Sequence, residues 1–381
     1  MIATLGAMAS PEDLSTQHRV WEDWAQADPL WAILSDPAQK GGKWDLGEFF
    51  ASGHREIEVA LAEVAAQGLE LRKGRALDFG CGVGRLTLAL GAVFDRADGV
   101  DISETMVDLA REHNDLGDRV EYHVNLAPDL ALFPDDSFDF VFSTIVLQHN
   151  PPDAAARYIE EFGRVLAPGG IAVFDMTAAL TGASLPPGSH TAAISLVTPP
   201  RMVPEEATAV TVTVTNTSRQ DWPAGTRLAI GNHWRSADGS EMLVQDDARH
   251  PLPGGLAAGA ATSADLAVTV PGNGSFTLEV DLVEEGACWF AQNASPTALA
   301  PVRGGAPSRS LRDRLTGRRA APDPEVAALA DEPEPFAMNG LPREEVEAAV
   351  GRSGCRVVHV AASGSGGSHW DGFRYTVRND G

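Results

Sequence analysis

Residues Ala76–Arg85 read ALDFGCGVGR. Arg75–Phe79 is a short, mainly apolar run of the kind that forms a strand covered on both faces. From Arg85 to Phe94 the apolar residues return at helical spacing. Gly80, Gly82 and Gly84 therefore fall on a strand-to-helix turn. Glycine allows the sharp turn and the close approach of a ligand to the main chain. The first N–H groups of the following helix have no partner within it and can face that ligand.

The neighbours of the loop narrow the ligand. The dinucleotide fingerprint GxGxxG needs a glycine at 85 beside a pyrophosphate, and this chain has Arg85 there. No GxxxxGK[ST] stretch occurs, which excludes a nucleoside-triphosphate loop. Asp78 precedes the turn, and a carboxylate there suits a ligand with an amino group. The next strand, Ala97–Asp101, ends Gly-Val-Asp, 17 positions beyond Gly84. An acid at that tip can take both hydroxyls of a ribose.

Outward from the loop, the pattern is α/β. Residues 11–50 contain Trp21, Trp24, Trp31, Trp44, Phe49 and Phe50. They form a partly helical lead-in that either caps a site or docks a helix on the core. Ile57, Leu61 and Val64 recur at helical spacing until Gly68. Helices are predicted at Glu104–His113 and Ala154–Leu166. Strands are predicted at Val120–Val124, within Ser137–Val146, and at Gly170–Asp175. Strands alternating with helices imply a parallel sheet covered on both faces.

Near residue 176 the pattern changes. From Ala192 to Val302 there is no helical period. Alternating runs at Ala209–Thr215, Arg227–Ile230, Asp265–Val270 and Ser275–Leu282 are separated by Pro/Gly turns. They predict an all-β sandwich of about 100 residues. After a linker rich in Pro, Ala and Arg, which holds the basic cluster Arg309–Arg319, the α/β style returns. Pro342 opens a helix carrying Val346 and Val350 on one face, Gly354 ends it, and strands follow at Val357–Ala361 and Phe373–Val377. This tail supplies strands that the first part lacks. The predicted fold is α/β, a doubly wound, mostly parallel seven-stranded sheet interrupted by an inserted all-β sandwich. The expected units are a helical cap at 1–48, the first part of the α/β domain at 49–176, the sandwich at 190–303, a linker at 304–335, and the last helix and strands at 336–381.

Composition sets outer limits. The 381 residues exceed what one compact core usually holds, and 44% hydrophobic with 22% charged residues is ordinary for a globular chain. A net charge of -24 repels phosphate backbones and argues against nucleic acid as a partner. Cys81, Cys288 and Cys355 are far apart and lack CxxC spacing, so neither a zinc site nor a disulfide framework is expected. The first residues lack a leader pattern, and no stretch approaches the roughly 20 apolar residues of a membrane span. A cytoplasmic protein that works without a metal is the resulting expectation, with the oligomeric state left open.

ALDFGCGVGR, then GVDIS with Met106, SFDFVFS and RVLAPGG, in this order and spacing, resemble a class I S-adenosylmethionine-dependent methyltransferase of Rossmann-like fold. The resemblance covers residues 45–175 and, more loosely, 338–381. It implies S-adenosyl-L-methionine as the cofactor. Asp78 would then orient the methionine amino group, and Arg55 would reach the methionine carboxylate. Gly80, Cys81, Gly82 and Gly84 would form the loop under the methionine and ribose. Asp101 would hold the ribose hydroxyls, and Ile102 would pack on the adenine. Asn125 and Leu126 stand where the family contacts the adenine edge, although its usual Asp-Ala is missing here. Thr144 would lie close to the sulfonium.

For a hydroxyl acceptor such chemistry needs a base, and histidine titrates near neutrality. His149, after the fourth strand, is the first candidate. His369, beside Trp370, is the second, and His54 lies near the entry helix. The insert resembles small immunoglobulin-like modules of bacterial polysaccharide-synthesis proteins, which implies a sugar or glycan hydroxyl as acceptor. Trp222, Trp234 and Trp289 would then be either a sugar platform or core residues. The alternatives are a natural-product O- or N-methyltransferase, and a non-catalytic glycan-binding scaffold that retains the fold.

Overall fold

The computed structural model describes residues 11–36, 39–204, 206–252, 254–305, 333, 336–367 and 369–381. Most of the expected linker, with its basic cluster, and the first ten residues lie outside the described residues. The chain divides into two compact units, 1–180 with 333–381, and 181–332.

The first unit begins with helices α1 (Pro11–Ala27), α2 (Pro29–Ile33) and α3 (Leu46–Ala66). Asp45 caps α3 by accepting a hydrogen bond from the Glu48 N–H at 2.9 Å. Phe49, Gly53, Ile57, Ala60 and Val64 recur every three or four residues and form its buried face. There follow β1 (Arg75–Phe79), α4 (Arg85–Val93), β2 (Arg96–Asp101), α5 (Glu104–His113), β3 (Val120–Val124), β4 (Phe138–Ser143), α6 (Pro152–Val165) and β5 (Leu166–Leu180).

The second unit contributes β6 (Ala192–Val197), β7 (Arg201–Met202), β8 (Ala207–Asn216), β9 (Leu228–Ser236), β10 (Met242–Val244), β11 (Arg249–Pro251), β12 (Ala261–Thr269), β13 (Gly274–Glu284), β14 (Cys288–Trp289) and β15 (Ala298–Gly304). The chain then returns with α7 (Arg343–Arg352), β16 (Arg356–Ser363) and β17 (Trp370–Arg378). Pro342 precedes α7 as its cap rather than forming its first residue.

The sheet of the first unit has the order β16-β17-β5-β4-β1-β2-β3. All neighbours are parallel except β17, which runs antiparallel to both β5 and β16. Both faces are covered. Leu77 and Phe79 pack with Tyr158, Phe162, Val346 and Val350 on one side. Ala76, Phe140 and Phe142 pack with Ile57, Ala60 and Leu90 on the other. The order reverses at β1, which has β4 on one side and β2 on the other. A crevice opens at the carboxyl ends of strands at such a point.

In the second unit β12-β8-β6 form one sheet, and β10-β9-β13-β15-β7 form the other, with β11 paired to β9 and β14 to β13. Val210, Val212 and Val214 of the first share a core with Ile230, Trp234, Leu278 and Val280 of the second. Trp222 and Trp234 are fully buried in that core. Trp289 is half-buried, with the Arg249 guanidinium 4.3 Å from its ring. No helix among the described residues is long and apolar enough to cross a membrane.

Candidate functional site

A cleft whose empty space, open solvent included, is about 910 Å³ lies over the carboxyl ends of β1, β2 and β4. Gly80, Cys81, Gly82, Asp101, Ile102, Asn125 and Thr144 line it, as do Gln17 and Trp21 of α1 and Ile33 of α2. The lead-in helices therefore form part of the wall.

The three glycines have φ of 78°, 51° and 85°. A side chain would be strained at each. Space forbids one as well, but the occupants are protein atoms. A Cβ on Gly80 would lie 2.3 Å from Val146 Cγ2, one on Gly82 2.5 Å from Ile33 Cδ1, and one on Gly84 2.4 Å from Tyr122 Oη. The space expected for a ligand at these Cα atoms is thus partly taken by packing. Cys81 is buried, and burial pushes its thiol well above the usual range, as befits a small loop residue rather than a nucleophile.

Asp101 ends β2. Its Oδ2 accepts from the Gly82 N–H at 2.8 Å and its Oδ1 from the Ser103 N–H at 2.9 Å. These bonds fix the carboxylate while leaving each oxygen a further lone pair for a hydroxyl. Burial raises its pKa, against backbone hydrogen bonds that lower it. Asn125 donates to the carbonyls of Asp129 and Ala127, at 2.7 and 3.3 Å, which orders the loop after β3. Leu126 is 52% exposed and is not part of the lining, because that loop turns it outward.

Two expected contacts with the cofactor's methionine end take a different form. Asp78 lies beneath the loop, fully buried, rather than in the cleft wall. Thr87 Oγ1 donates to its Oδ2 at 2.6 Å, while Oδ1 accepts no hydrogen bond. Burial pushes this carboxyl up to about 7. Arg55 is exposed and paired with Glu48. The guanidinium in the wall is instead Arg85, buried at 3% exposure, with Nη2 2.8 Å from Glu56 Oε2 and Nη1 3.2 Å from Ser52 Oγ. Ser52 and Glu56 are four apart on α3 and share the face that meets Arg85, whereas Arg55 is exposed beside Glu48. The sequence held this signal in the residue that replaces the dinucleotide glycine.

Thr144 follows β4 directly. Its hydroxyl donates to Asp175 Oδ2 at 2.6 Å, and Asp175 is buried. Arg374 Nε and Nη2 donate to the same carboxylate at 3.0 and 2.9 Å. Asp175 and Arg374 stand opposite each other on β5 and β17. Ile145 has φ of 59°, rare for a β-branched residue and a mark of local strain held by its surroundings.

His149 ends a 3₁₀ turn and is half-buried. Its Nδ1–H donates to the Ala337 carbonyl at 2.8 Å, its ring meets Trp21 and Phe336, and burial lowers its pKa. It is not in the cleft lining, whereas its neighbour Asn150 is. His369 stands just before β17, also outside the lining, and His54 is exposed.

The lead-in helices are tied to the loop region by Glu22. It accepts hydrogen bonds from Ser103 Oγ at 2.7 Å and from the hydroxyl and N–H of Thr105. Burial raises the pKa of this carboxyl, but the bonds from Thr105 and Ser103 together hold it down at about 2.

Residues 76–170 match a family described as a methyltransferase domain. The matched span contains the loop, Asp101 and Thr144. Two ubiquinone biosynthesis O-methyltransferases are similar to this chain. The protein of Xanthomonas euvesicatoria is 34% identical over 109 residues, 28% of this chain and 45% of that protein. The protein of Hydrogenovibrio crunogenus is 30% identical over 132 residues, 34% of this chain and 54% of that one. The chain thus spans about half the length of the curated relatives it matches. A solved S-adenosylmethionine-dependent methyltransferase from Clostridium acetobutylicum is 11% identical at a TM-score of 0.37, covering 85% of this chain and 90% of that one.

Proposed function

We propose that the protein is an S-adenosylmethionine-dependent methyltransferase acting on an oxygen nucleophile of a small molecule. The observation that carries this is the pairing of the Gly80–Gly84 turn with Asp101, whose carboxylate is held by Gly82 and Ser103 yet keeps lone pairs for two hydroxyls.

The residues present fit the cofactor. Asp101 would hold the ribose, and Ile102 and Asn125 would bound the adenine. Arg85 suits a carboxylate. The unpartnered Oδ1 of Asp78, beneath the loop, suits an ammonium group reached through a water. When bound, the cofactor supplies an electrophilic methyl group on its sulfonium. The chain's own work is to align the acceptor and exclude water, and alignment can supply up to about 7–11 kcal/mol of the barrier reduction. Gln17 and Trp21 of α1 would form the acceptor side of the wall. His149 lies just outside the lining; with its Nδ1–H engaged by Ala337, the neutral ring keeps Nε2 free of a proton, and it would act as a base through a water in the cleft.

The oxygen acceptor is supported by the names of the relatives. A sugar or glycan hydroxyl is a finer form of the reading. It rests on the immunoglobulin-like character proposed for the second unit and on Trp289, since Trp222 and Trp234 are used in the core. Calorimetry with S-adenosylmethionine tests the cofactor, and the absence of binding overturns the reading. Screening phenols, sugar nucleotides and glycans with labelled cofactor tests the acceptor. Label found only on nitrogen overturns the oxygen assignment.

A further inference from the structure

A strand at the edge of a sheet carries a free row of N–H and C=O groups, and proteins guard that row with charge, proline, a bulge or short length. Among the described residues, β16 carries Arg356 and His359, β3 carries Glu121 and His123, β12 carries Asp265, and β7 carries Arg201. The edge strand β10 has three residues and an interrupted register. β6 (Ala192–Val197), at the end of the sheet β12-β8-β6, reads AAISLV and has none of these guards. No charged residue stands between Thr191 and Pro200, in a chain whose net charge is -24.

The ladder identifies the free groups. Along an antiparallel strand, successive residues direct their backbone groups to one side and then the other. Asn216 of β8 donates its N–H to the Ala260 carbonyl and accepts from the Gly259 N–H, both just before β12. Its opposite residue on β6, Ala192, therefore points away from β8. Ala192 N–H donates to Ser295 Oγ at 3.0 Å, and that hydroxyl donates to the Ala192 carbonyl at 3.4 Å. Ile194 and Leu196 direct their N–H and C=O the same way, and these groups find no partner among the described residues. Ser295 thus closes one end of the edge and leaves the rest open. The Ile194 and Leu196 side chains pack on the core of the second unit, while Ala193, Ser195 and Val197 are exposed, Val197 at 73%.

We propose that β6 pairs antiparallel with β6 of a second copy of this chain, about a two-fold axis at Ser195. Ile194 of each copy then lies opposite Leu196 of the other, and each copy donates and accepts through both residues. On the exposed face, Val197 of one copy covers Ala193 of the other. The two Ser195 side chains meet at the axis, with Cβ atoms roughly 4.5–5.5 Å apart. One operation satisfies both open edges, and such an isologous contact closes at two copies. Acidic chains repel one another over most of their surface. The uncharged run 191–200 is a strip where two copies can approach without opposing like charges. The pairing does not depend on the reaction proposed for the first unit.

The test is sedimentation velocity of the full chain between about 1 and 100 µM, the range in which a small interface associates. Monomer should give way to dimer as concentration rises. Ser195→Asp sets two carboxylates opposite each other at the axis, and Ser195→Lys sets two ammonium groups there, where like charges oppose pairing. Each should weaken association about tenfold while Tm stays that of the parent, because Ser195 is exposed. Mixed in equal amounts, the two variants should dimerise again, since the axis brings unlike charges together. Leu196→Pro removes an N–H that has no partner in its own chain, and should also leave monomer. If that variant does not fold, the two Ser195 variants decide alone. A parent chain that stays monomeric throughout the range overturns the proposal and leaves the edge to a strand of another protein. A dimer that neither Ser195 variant weakens, or a mixture of the two that stays monomeric, overturns it as well.

Discussion

Phe336 lies flat against Trp21, with ring centroids 4.6 Å apart and 15° between the planes. Trp21 belongs to α1 and lines the cleft, while Phe336 stands on the segment leading to α7. Phe336 also meets Trp24 and His149, at 5.2 and 5.8 Å. One side chain from the returning segment thus joins the lead-in helices to the turn after β4.

Phe336→Ala should loosen that junction. Truncating a fully buried Phe costs about 3–5 kcal/mol, and for this half-buried ring about 1–3 kcal/mol is expected. Thermal unfolding should show a lower Tm, and limited proteolysis should cut within 11–45 faster than in the parent. An unchanged melting temperature with unchanged proteolysis would contradict the junction.

Arg85→Lys should weaken S-adenosylmethionine binding about tenfold, because an ammonium cannot reproduce the planar fork that meets Glu56 and Ser52 from a residue of the cleft wall. Arg55→Lys should leave affinity unchanged. Calorimetry distinguishes the two, and the reverse ranking would return the carboxylate contact to Arg55.

Asp78 predicts a pH dependence. Burial holds its carboxyl up to about 7, whereas in the unfolded chain it loses its proton near 4. The folded state therefore binds more protons between those values, and stability falls as pH rises through that window. A bound ammonium group favours the carboxylate, so cofactor affinity should increase as pH rises toward 7, with a proton released on binding. Titration in two buffers of different ionisation enthalpy measures that proton. Asp78→Asn should abolish its release, and an equal release in the variant would exclude Asp78 as the source.

His149→Ala should lower turnover about 100-fold, a general-base contribution, while S-adenosylmethionine affinity stays within about twofold. Steady-state kinetics with the true acceptor checks this. Turnover within a few-fold of the parent removes His149 as the base.

Much of the first unit was legible from periodicity. Leu77 and Phe79 must face away from Ala76 whatever else the chain does, because strand side chains alternate. Glu104–His113 and Val120–Val124 have the limits that their patterns predicted, with Ser103 capping the helix as expected of such a residue. Other limits moved where local signals were weak. The fifth strand runs from Leu166 to Leu180, not Gly170–Asp175, because pairing with β4 on one side and β17 on the other extends the ladder at both ends.

The sequence by itself determined the order of strands and helices, the turn at Gly80–Gly84 and the acid at the tip of β2. Each follows from local spacing and backbone sterics. Tertiary structure alone decided which arginine faces the cleft. Gly53 lets α3 approach so closely that a Cβ there would lie 2.3 Å from the Arg85 carbonyl, and this contact directs Ser52 and Glu56 at Arg85. It also decided that Asp78 sits beneath the loop, that the His149 ring is held by Ala337 and Phe336, and that Arg374 meets Asp175. Such pairings join residues up to 199 positions apart, and no local pattern encodes them, because they depend on how close two backbones come.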